Sequence, residues 1–231
     1  MEPVILHIET STNVCSVALS EGKNCLFLKS NDEGMNHAAL LSVFIDEALQ
    51  VLKKSSKTLN AVAVSAGPGS YTGLRIGVST AKGMCYGLDI PLIALDTLEI
   101  LAVPAIQLTE KEEAALFCPM IDARRMEVYD IIYQHDRTVY RGVEADIISS
   151  DSFADTLNLH KMYFFGNGAE KCKPVLTHPN ACFLDNLVPL ATNMIDLALQ
   201  HYQEKKFVDT AYFEPFYLKE FQTTTPRKNV L

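Results

Sequence analysis

The stretch Ser65–Arg75, SAGPGSYTGLR, joins a short strand to a helix, and the rest of the fold can be inferred outward from it. Glycines on both sides of Pro68 permit a tight turn at the end of the strand. Ser70 follows at the position where a helix N-cap accepts a backbone N–H. The segment therefore predicts a strand over 61–65, a turn, and a helix from about Tyr71 to Gly87.

The start of this helix has two possible interpretations. Its free backbone N–H groups would favour an anion, so the glycine-rich turn could hold a phosphate. A strand, a Gly-Pro turn and a capped helix also occur together in many α/β proteins for structural reasons alone. We favour the structural interpretation, because this common combination by itself supports phosphate binding only weakly.

The helix itself contains glycines at positions 73, 77, 83 and 87. Each glycine costs about 1 kcal/mol relative to alanine in a helix interior, so several together indicate a close contact with another element. That element could be the chain's own helix over 37–53 or a helix of another subunit. The earlier helix is apolar on two faces, which favours the second alternative.

The remaining sequence predicts two similar halves. Three strands, a helix, a strand, a second helix and a fifth strand account for the first half, in the order βββαβαβ. A strand over 115–121 and a hairpin over 127–144 repeat the opening pattern. We therefore expect an α/β protein with two lobes of mixed sheet, an N-terminal lobe over 1–103, a smaller lobe over 104–221, and a flexible tail over 222–231.

The composition describes a folded, acidic protein. The 231 residues are 48% hydrophobic, which is enough to bury one large core or two modest ones. The formal net charge of −8 opposes contact with a phosphate backbone, so we expect any RNA to be held mainly by another protein. No apolar run reaches the roughly 18 residues that cross a bilayer, and no basic region precedes the first apolar stretch, which predicts a cytoplasmic protein with no membrane partner. The six cysteines occur singly and are expected to be reduced.

Five segments, in this order and spacing, resemble the TsaB family of subunits that serve the synthesis of threonylcarbamoyladenosine on tRNA. They are ILHIETSTNVCSVAL at 5–19, NHAALLSVFIDEAL at 36–49, the long segment 65–102 that contains SAGPGSYTGLR, IDARRMEVY at 121–129, and EPFYLK at 214–219. The match spans most of the chain, and the central motif is specific to TsaB and its catalytic paralogue TsaD. The resemblance implies the duplicated ribonuclease-H-like fold of the actin, sugar-kinase and Hsp70 class.

The resemblance also implies a role and a set of partners. A TsaB-like chain is a non-catalytic, activating subunit that binds a TsaD-like catalytic paralogue, and a TsaE-like ATPase joins that complex. ATP is then used by partner subunits, tRNA is met only through the complex, and the isolated chain needs no cofactor. We place the partner contact on two helices of the first lobe, which also suit a homodimer when the partner is absent. The predicted contact residues are Leu40, Phe44, Gly73, Leu74, Gly77 and Val78.

Motifs that an enzyme of this class would need are not found in the sequence. Glu9-Thr10-Ser11 and Asp122-Ala123-Arg124 stand where nucleotide-binding members carry an acidic residue followed by glycine. The His-x-x-x-His metal pair of the catalytic paralogue is also missing, so we expect neither a metal nor a catalytic residue.

Three alternatives to the subunit remain open from the sequence. A kinase-like enzyme could use Glu9, Asp122 and Arg124 together at the cleft between the lobes, although structural hydrogen bonding is the favoured role for these side chains. A glycoprotease-type peptidase is disfavoured by the lack of a paired His and of a nucleophile motif. Direct RNA binding is disfavoured by the charge. The sequence leaves open whether a nucleotide binds at a subunit junction, which residues contact the ATPase or tRNA, and the oligomeric state.

Overall fold

A computed structural model describes residues 2–34 and 36–219 of the chain. The first half contains five strands and three helices. Their bounds are β1 Val4–Glu9, β2 Cys15–Glu21, β3 Asn24–Asn31, α1 His37–Lys54, β4 Ala61–Gly67, α2 Tyr71–Leu88, β5 Leu92–Asp96 and α3 Thr97–Leu108.

The second half again contains five strands, with shorter helices between them. Two short 3₁₀ helices, Glu170–Cys172 and Ala191–Met194, belong to this half. The other elements are β6 Leu116–Asp122, β7 Glu127–Tyr133, β8 Val139–Ile147, α4 Ala154–Leu159, β9 Met162–Phe165, β10 Ala181–Leu184 and α5 Ile195–Gln203.

The strands form two five-stranded sheets with the same topology. The first sheet has the order β3-β2-β1-β4-β5, and the second has the order β10-β9-β6-β7-β8. In each sheet the first three strands pair antiparallel in sequence order, the fourth pairs parallel with the first, and the fifth pairs parallel with the fourth. Read in sequence order, both sheets are therefore 3-2-1-4-5. The predicted duplication and fold class are confirmed.

The centre of the first sheet is β1, because it pairs with β2 on one side and with β4 on the other. All six of its residues are buried. Leu6 and Ile8 point to one face, where α1 and α2 pack, and Ile5 points to the other, where α3 and α5 pack. This alternation is what a central strand covered on both faces requires.

Helix α3 lies between the two sheets. Its Ile100 packs with Ile5 of the first sheet, whereas Leu101 packs with Phe117 and Phe165 of the second sheet. The sequence pattern does not predict α3, because Pro104 interrupts a segment that is apolar on all sides and so has no helical periodicity. Strand β10 is not predicted either, since its four residues are too few for a periodic pattern.

Residues 191–203 return to the first sheet late in the chain. Met194 and Leu197 pack against Ile5, and Ala191 donates its N–H to the Ser16 hydroxyl at 2.9 Å. The division of the chain at residue 103/104 stays a prediction, and the predicted tail over 222–231 lies outside the described residues. Within 2–34 and 36–219, no helix is long and apolar enough to span a membrane.

A segment that we call the C-terminal strap, residues 208–219, runs over the edge of the first sheet. Val208 forms an antiparallel bridge with Leu92 of β5. Phe216 donates its N–H to the carbonyl of Ala66 at the end of β4, at 2.7 Å. The strap then reaches the second sheet, where the Lys219 ammonium pairs with the Glu127 carboxylate. It therefore connects the two sheets along a path separate from α3.

The cap of α3 generates a stability prediction. Asp96 ends β5 and accepts the N–H of Leu98 at 2.7 Å and that of Glu99 at 3.3 Å. We expect Asp96→Ala to lower the free energy of unfolding by about 1–2 kcal/mol, since two N–H groups lose their acceptor. Asp96→Asn keeps an acceptor oxygen and should lose less in the same urea titration at pH 7.5. Equal losses in the two variants would contradict the capping role.

Candidate protein-interaction site

Residues of the chain itself occupy the space at the start of α2 and use its hydrogen-bonding groups. The Ser70 hydroxyl accepts the N–H of Gly73 at 3.3 Å, which confirms the predicted cap. The Ser70 N–H is also used, because it donates to the carbonyl of Ser11 at 2.6 Å. A side chain at Gly69 would overlap that same carbonyl. The loop after β1 therefore occupies the place where a phosphate would approach the helix.

The glycines of α2 fall into two pairs with different neighbours. A Cβ atom at Gly73 would overlap the carbonyl oxygen of Thr10, and one at Gly77 would overlap the Thr10 hydroxyl. The Thr10 hydroxyl also donates to the Gly73 carbonyl at 2.8 Å. The close contact that these two glycines permit is therefore with the end of β1 and not with another helix.

The second pair, Gly83 and Gly87, faces open space. Both are exposed, and a Cβ atom at either would have no neighbour within 4 Å. Half-buried Ile76 and Thr80 precede them at intervals of three and four residues, so the four lie along one side of the helix. Nothing in the described residues explains their small size. This side of α2 is where another helix could approach closely.

The six predicted contact residues are mostly internal. Leu74 and Gly77 are fully or nearly fully buried, Val78 is 3% exposed and Phe44 is 5% exposed. Gly73 is buried against Thr10, and only Leu40 is half exposed. Most of the six residues pack within the protein's own core. A larger side chain at Gly73 or Gly77 would therefore destabilise the fold, and its effect would not report on a partner contact. Their part in an interface stays a prediction.

Helix α1 presents small and apolar residues to solvent along its first half. Ala38, Ala39 and Ser42 are exposed, and the Val43 side chain is 49% exposed. The opposite side of α1 contacts the first sheet, beside α2. The two helices thus lie next to each other on one face of the sheet. We call their outward surface the two-helix face, defined by Ala38, Ala39, Ser42, Val43, Ile76, Thr80, Gly83 and Gly87.

The other flank of α2 is covered by the C-terminal strap. The Lys82 ammonium donates to the carbonyl of Phe213 at 2.8 Å, and the Arg75 guanidinium donates to the Tyr217 hydroxyl at 3.3 Å. The Tyr217 and Tyr71 rings lie 4.9 Å apart. A groove of about 310 Å³ remains between the strap and this flank. Its cations already bind the strap, so this flank of α2 is covered by the chain itself, whereas the side with Gly83 is open.

Glu9 is a carboxyl group buried beneath the start of α2. Its Oε1 accepts the Ser11 N–H at 2.6 Å, and its Oε2 has no hydrogen-bond partner. Burial raises its pKa to about 7, and the neighbouring Ser11 and Ser65 oppose that rise. His7, two residues earlier, is also fully buried, and burial lowers its pKa to about 3. Both side chains are neutral near pH 6, which limits the cost of burying them.

The three side chains considered for a nucleotide cleft do not share contacts. Glu9 is fully buried, whereas Asp122 is exposed and pairs with the Lys171 ammonium. Arg124 is exposed, and its backbone N–H donates to Asp122 at 3.2 Å. No hydrogen bond or ion pair among the described residues joins Glu9 to the other two. Within those residues, no three His, Cys, Asp or Glu side chains are grouped to hold a metal ion.

Comparison with known proteins connects this architecture to a family. A family model described as "TsaD: tRNA N6-adenosine threonylcarbamoyltransferase" matches residues 32–224. The tRNA threonylcarbamoyladenosine biosynthesis protein TsaB of Escherichia coli (strain K12) is 30% identical over 223 residues, which cover 93% of this chain and 94% of that protein. A tRNA N6-adenosine threonylcarbamoyltransferase of Geotalea daltonii is 38% identical over only 69 residues, 29% of this chain and 20% of that enzyme.

A solved structure supports the same relationship. It is that of an uncharacterized protein with similarity to peptidase YEAZ from Pseudomonas aeruginosa, 25% identical to this chain with a TM-score of 0.77. The match covers 94% of this chain and all of the other. Pairwise similarity over nearly the full length therefore lies with the TsaB and YEAZ proteins, whereas the pairwise match to the Geotalea transferase covers one segment of 69 residues.

The two pairs of glycines predict opposite effects of alanine. Gly73→Ala should lower the free energy of unfolding by roughly 2–4 kcal/mol, since the new methyl group overlaps a backbone carbonyl that cannot move freely. Gly83→Ala should raise it by about 0.5–1 kcal/mol, because alanine favours the helix and the site is open. Urea denaturation of both variants measures the difference. A similar change in both would show that α2 is not held against Thr10.

The buried Glu9 predicts a pH dependence of stability. Its folded pKa lies above the unfolded value of 4.5, so the protonated form is the one that folding favours. Relative to Glu9→Gln, the wild-type chain should lose stability, on the order of 2 kcal/mol, as the pH rises from about 4.5 to about 7, and no more above that. His7 contributes equally to both proteins and cancels in the difference. A constant difference between pH 4.5 and 8 would contradict this account.

Proposed function

We propose that this chain, which belongs to the TsaB family of tRNA threonylcarbamoyladenosine biosynthesis proteins, is a non-catalytic subunit that binds and activates a TsaD-like catalytic paralogue. The TsaD-like protein would carry out the transfer to adenosine, and a TsaE-like ATPase would join the pair. The tRNA would be met through the assembled complex. The observation that carries this proposal is the two-helix face, an exposed surface of small and apolar residues on a chain of this family.

The composition of the two-helix face supports a protein partner. Gly83 and Gly87 leave the backbone of α2 accessible, and close approach of helices depends on such small residues. Ala38, Ser42 and Val43 of α1 add exposed surface without charge. A second α/β protein with helices on the same face of its first sheet could lay two helices against these two. A second copy of this chain has that surface, so a homodimer through it is expected when the paralogue is absent.

The proposed lack of a catalytic role is supported by the contacts at the start of α2. Ser11 occupies the start of α2, and Glu9 is buried with no exposed carboxylate oxygen. A nucleotide phosphate would have to displace the loop after β1, whose backbone and side chains are already hydrogen-bonded to α2. We therefore assign the use of ATP to the partner subunits.

The proposal predicts that a large side chain at Gly83 blocks assembly without harming the fold. Gly83→Arg should keep a melting temperature equal to or above that of the wild-type chain, since the site is open and arginine favours a helix. It should fail to co-purify with the TsaD-like paralogue and fail to support tRNA modification in a reconstituted reaction. Size-exclusion chromatography of the mixed proteins measures the first effect.

Gly142→Arg is the matched control for this experiment. Gly142 lies on β8 of the second sheet, is exposed, and has no atom within 4 Å of the place of a Cβ. It should assemble like the wild-type chain. A Gly83→Arg protein that is folded and still forms the complex would refute the two-helix face. A wild-type chain that forms no complex would refute the proposed function itself.

A further inference from the structure

The turn between β6 and β7 has an uncommon backbone conformation. Arg124 and Arg125 are consecutive, and both adopt left-handed backbone angles, with φ of 72° and 49°. The turn is closed by hydrogen bonds, since Glu127 donates to the carbonyl of Arg124 and Ala123 donates to the carbonyl of Glu127, each at 3.0 Å. Hairpin turns with two left-handed residues normally use Asn and Gly, because a Cβ atom crowds the following carbonyl. Two arginines are a poor choice for this turn on structural grounds.

The carboxylates around this turn are already neutralised. Asp122 pairs with the Lys171 ammonium, which also donates to the Glu127 carbonyl at 2.6 Å. Glu127 pairs with Lys219 of the C-terminal strap. Two lysines therefore balance the two acidic residues that border the hairpin. These two acidic residues are therefore paired with lysines and not with Arg124 or Arg125.

Both arginine side chains are exposed to solvent and make no ion pair with any residue in 2–34 or 36–219. They add two positive charges at one point of a chain whose net charge is −8. Strained backbone and unpaired charge together are features that persist where a ligand uses them. Guanidinium groups bind phosphate through two parallel N–H donors, so a phosphate-bearing ligand suits this pair.

We propose that the Arg124–Arg125 turn contacts the phosphate backbone of tRNA when the chain is part of the modification complex. This inference rests on the proposed function, since the acidic chain alone would not retain RNA. Two adjacent guanidinium groups on a closed, rigid hairpin suit consecutive phosphates of a folded RNA. Such contacts position the RNA without reading its bases. An acidic protein surface is the other possible occupant, and the experiment separates the two.

The test compares complexes assembled from the catalytic paralogue and either the wild-type chain or an Arg124→Gln/Arg125→Gln variant. The variant should co-purify normally, and the affinity of the complex for tRNA should fall roughly five- to tenfold at moderate salt. The slope of log affinity against log salt should become shallower by about 1 to 2, because two phosphate contacts are lost. A Lys111→Gln/Lys205→Gln variant removes the same charge at exposed sites elsewhere, and it should change neither quantity.

A second variant separates binding from folding. Arg124→Gly/Arg125→Gly relieves the left-handed strain, so its melting temperature should rise by roughly 2–5 °C while its complex shows the same loss of tRNA affinity. Unchanged tRNA affinity and salt slope in either arginine variant would overturn the inference. Loss of co-purification instead would assign the turn to a protein contact and also overturn it. A wild-type chain that fails to assemble would refute the proposed function before the turn is tested.

Discussion

The first sheet of this protein depends on how closely α2 approaches the end of β1. The Thr10 carbonyl and hydroxyl lie where side chains at Gly73 and Gly77 would otherwise be. The Thr10 hydroxyl donates to the Gly73 carbonyl. The carbonyl of the next residue, Ser11, accepts the N–H of Ser70, the N-cap of the helix. Because β1 is the central strand, this contact fixes α2 relative to β2 and β4 as well. Any side chain larger than a hydrogen atom at Gly73 or Gly77 would push α2 away from the end of β1.

That contact determines what each side of α2 is free to do. The inner side is buried against β1, and one flank is held by the C-terminal strap through Arg75 and Lys82. The remaining side carries Gly83 and Gly87, where an added Cβ atom would have no neighbour within 4 Å. The inner side and one flank of α2 are thus already in use within the chain. The side with Gly83 and Gly87 lies on the same face of the first sheet as the small exposed residues of α1, which is why the proposed interface includes both helices.

The distribution of charge agrees with a protein that works inside an assembly. Buried titratable groups such as Glu9 and His7 are neutral near pH 6, so the core carries little charge at its centre. The surface is acidic as a whole, and most lysines of the hairpin region are paired with nearby carboxylates. The unpaired Arg124 and Arg125 therefore form a local positive charge, which the net charge of the chain does not reveal. The net charge describes an acidic protein, whereas the turn places two positive charges together at one point of its surface.

The sequence by itself determined the family, the repeat of the opening strand and hairpin in the second half, and the positions of α1 and α2. SAGPGSYTGLR predicted a strand and a capped helix, and both are present because turn chemistry and N-capping are local properties of the chain. The glycines predicted a close contact with another helix, whereas Gly73 and Gly77 contact Thr10. The sequence could not reveal what each glycine contacts. Helical spacing shows which residues share a side of the helix, but it does not show which element packs against that side. Only the tertiary structure decided that Gly73 and Gly77 face Thr10, that Gly83 and Gly87 face outward, and that α3 lies between the sheets. Such contacts join residues far apart in the chain, and periodicity carries no information about them.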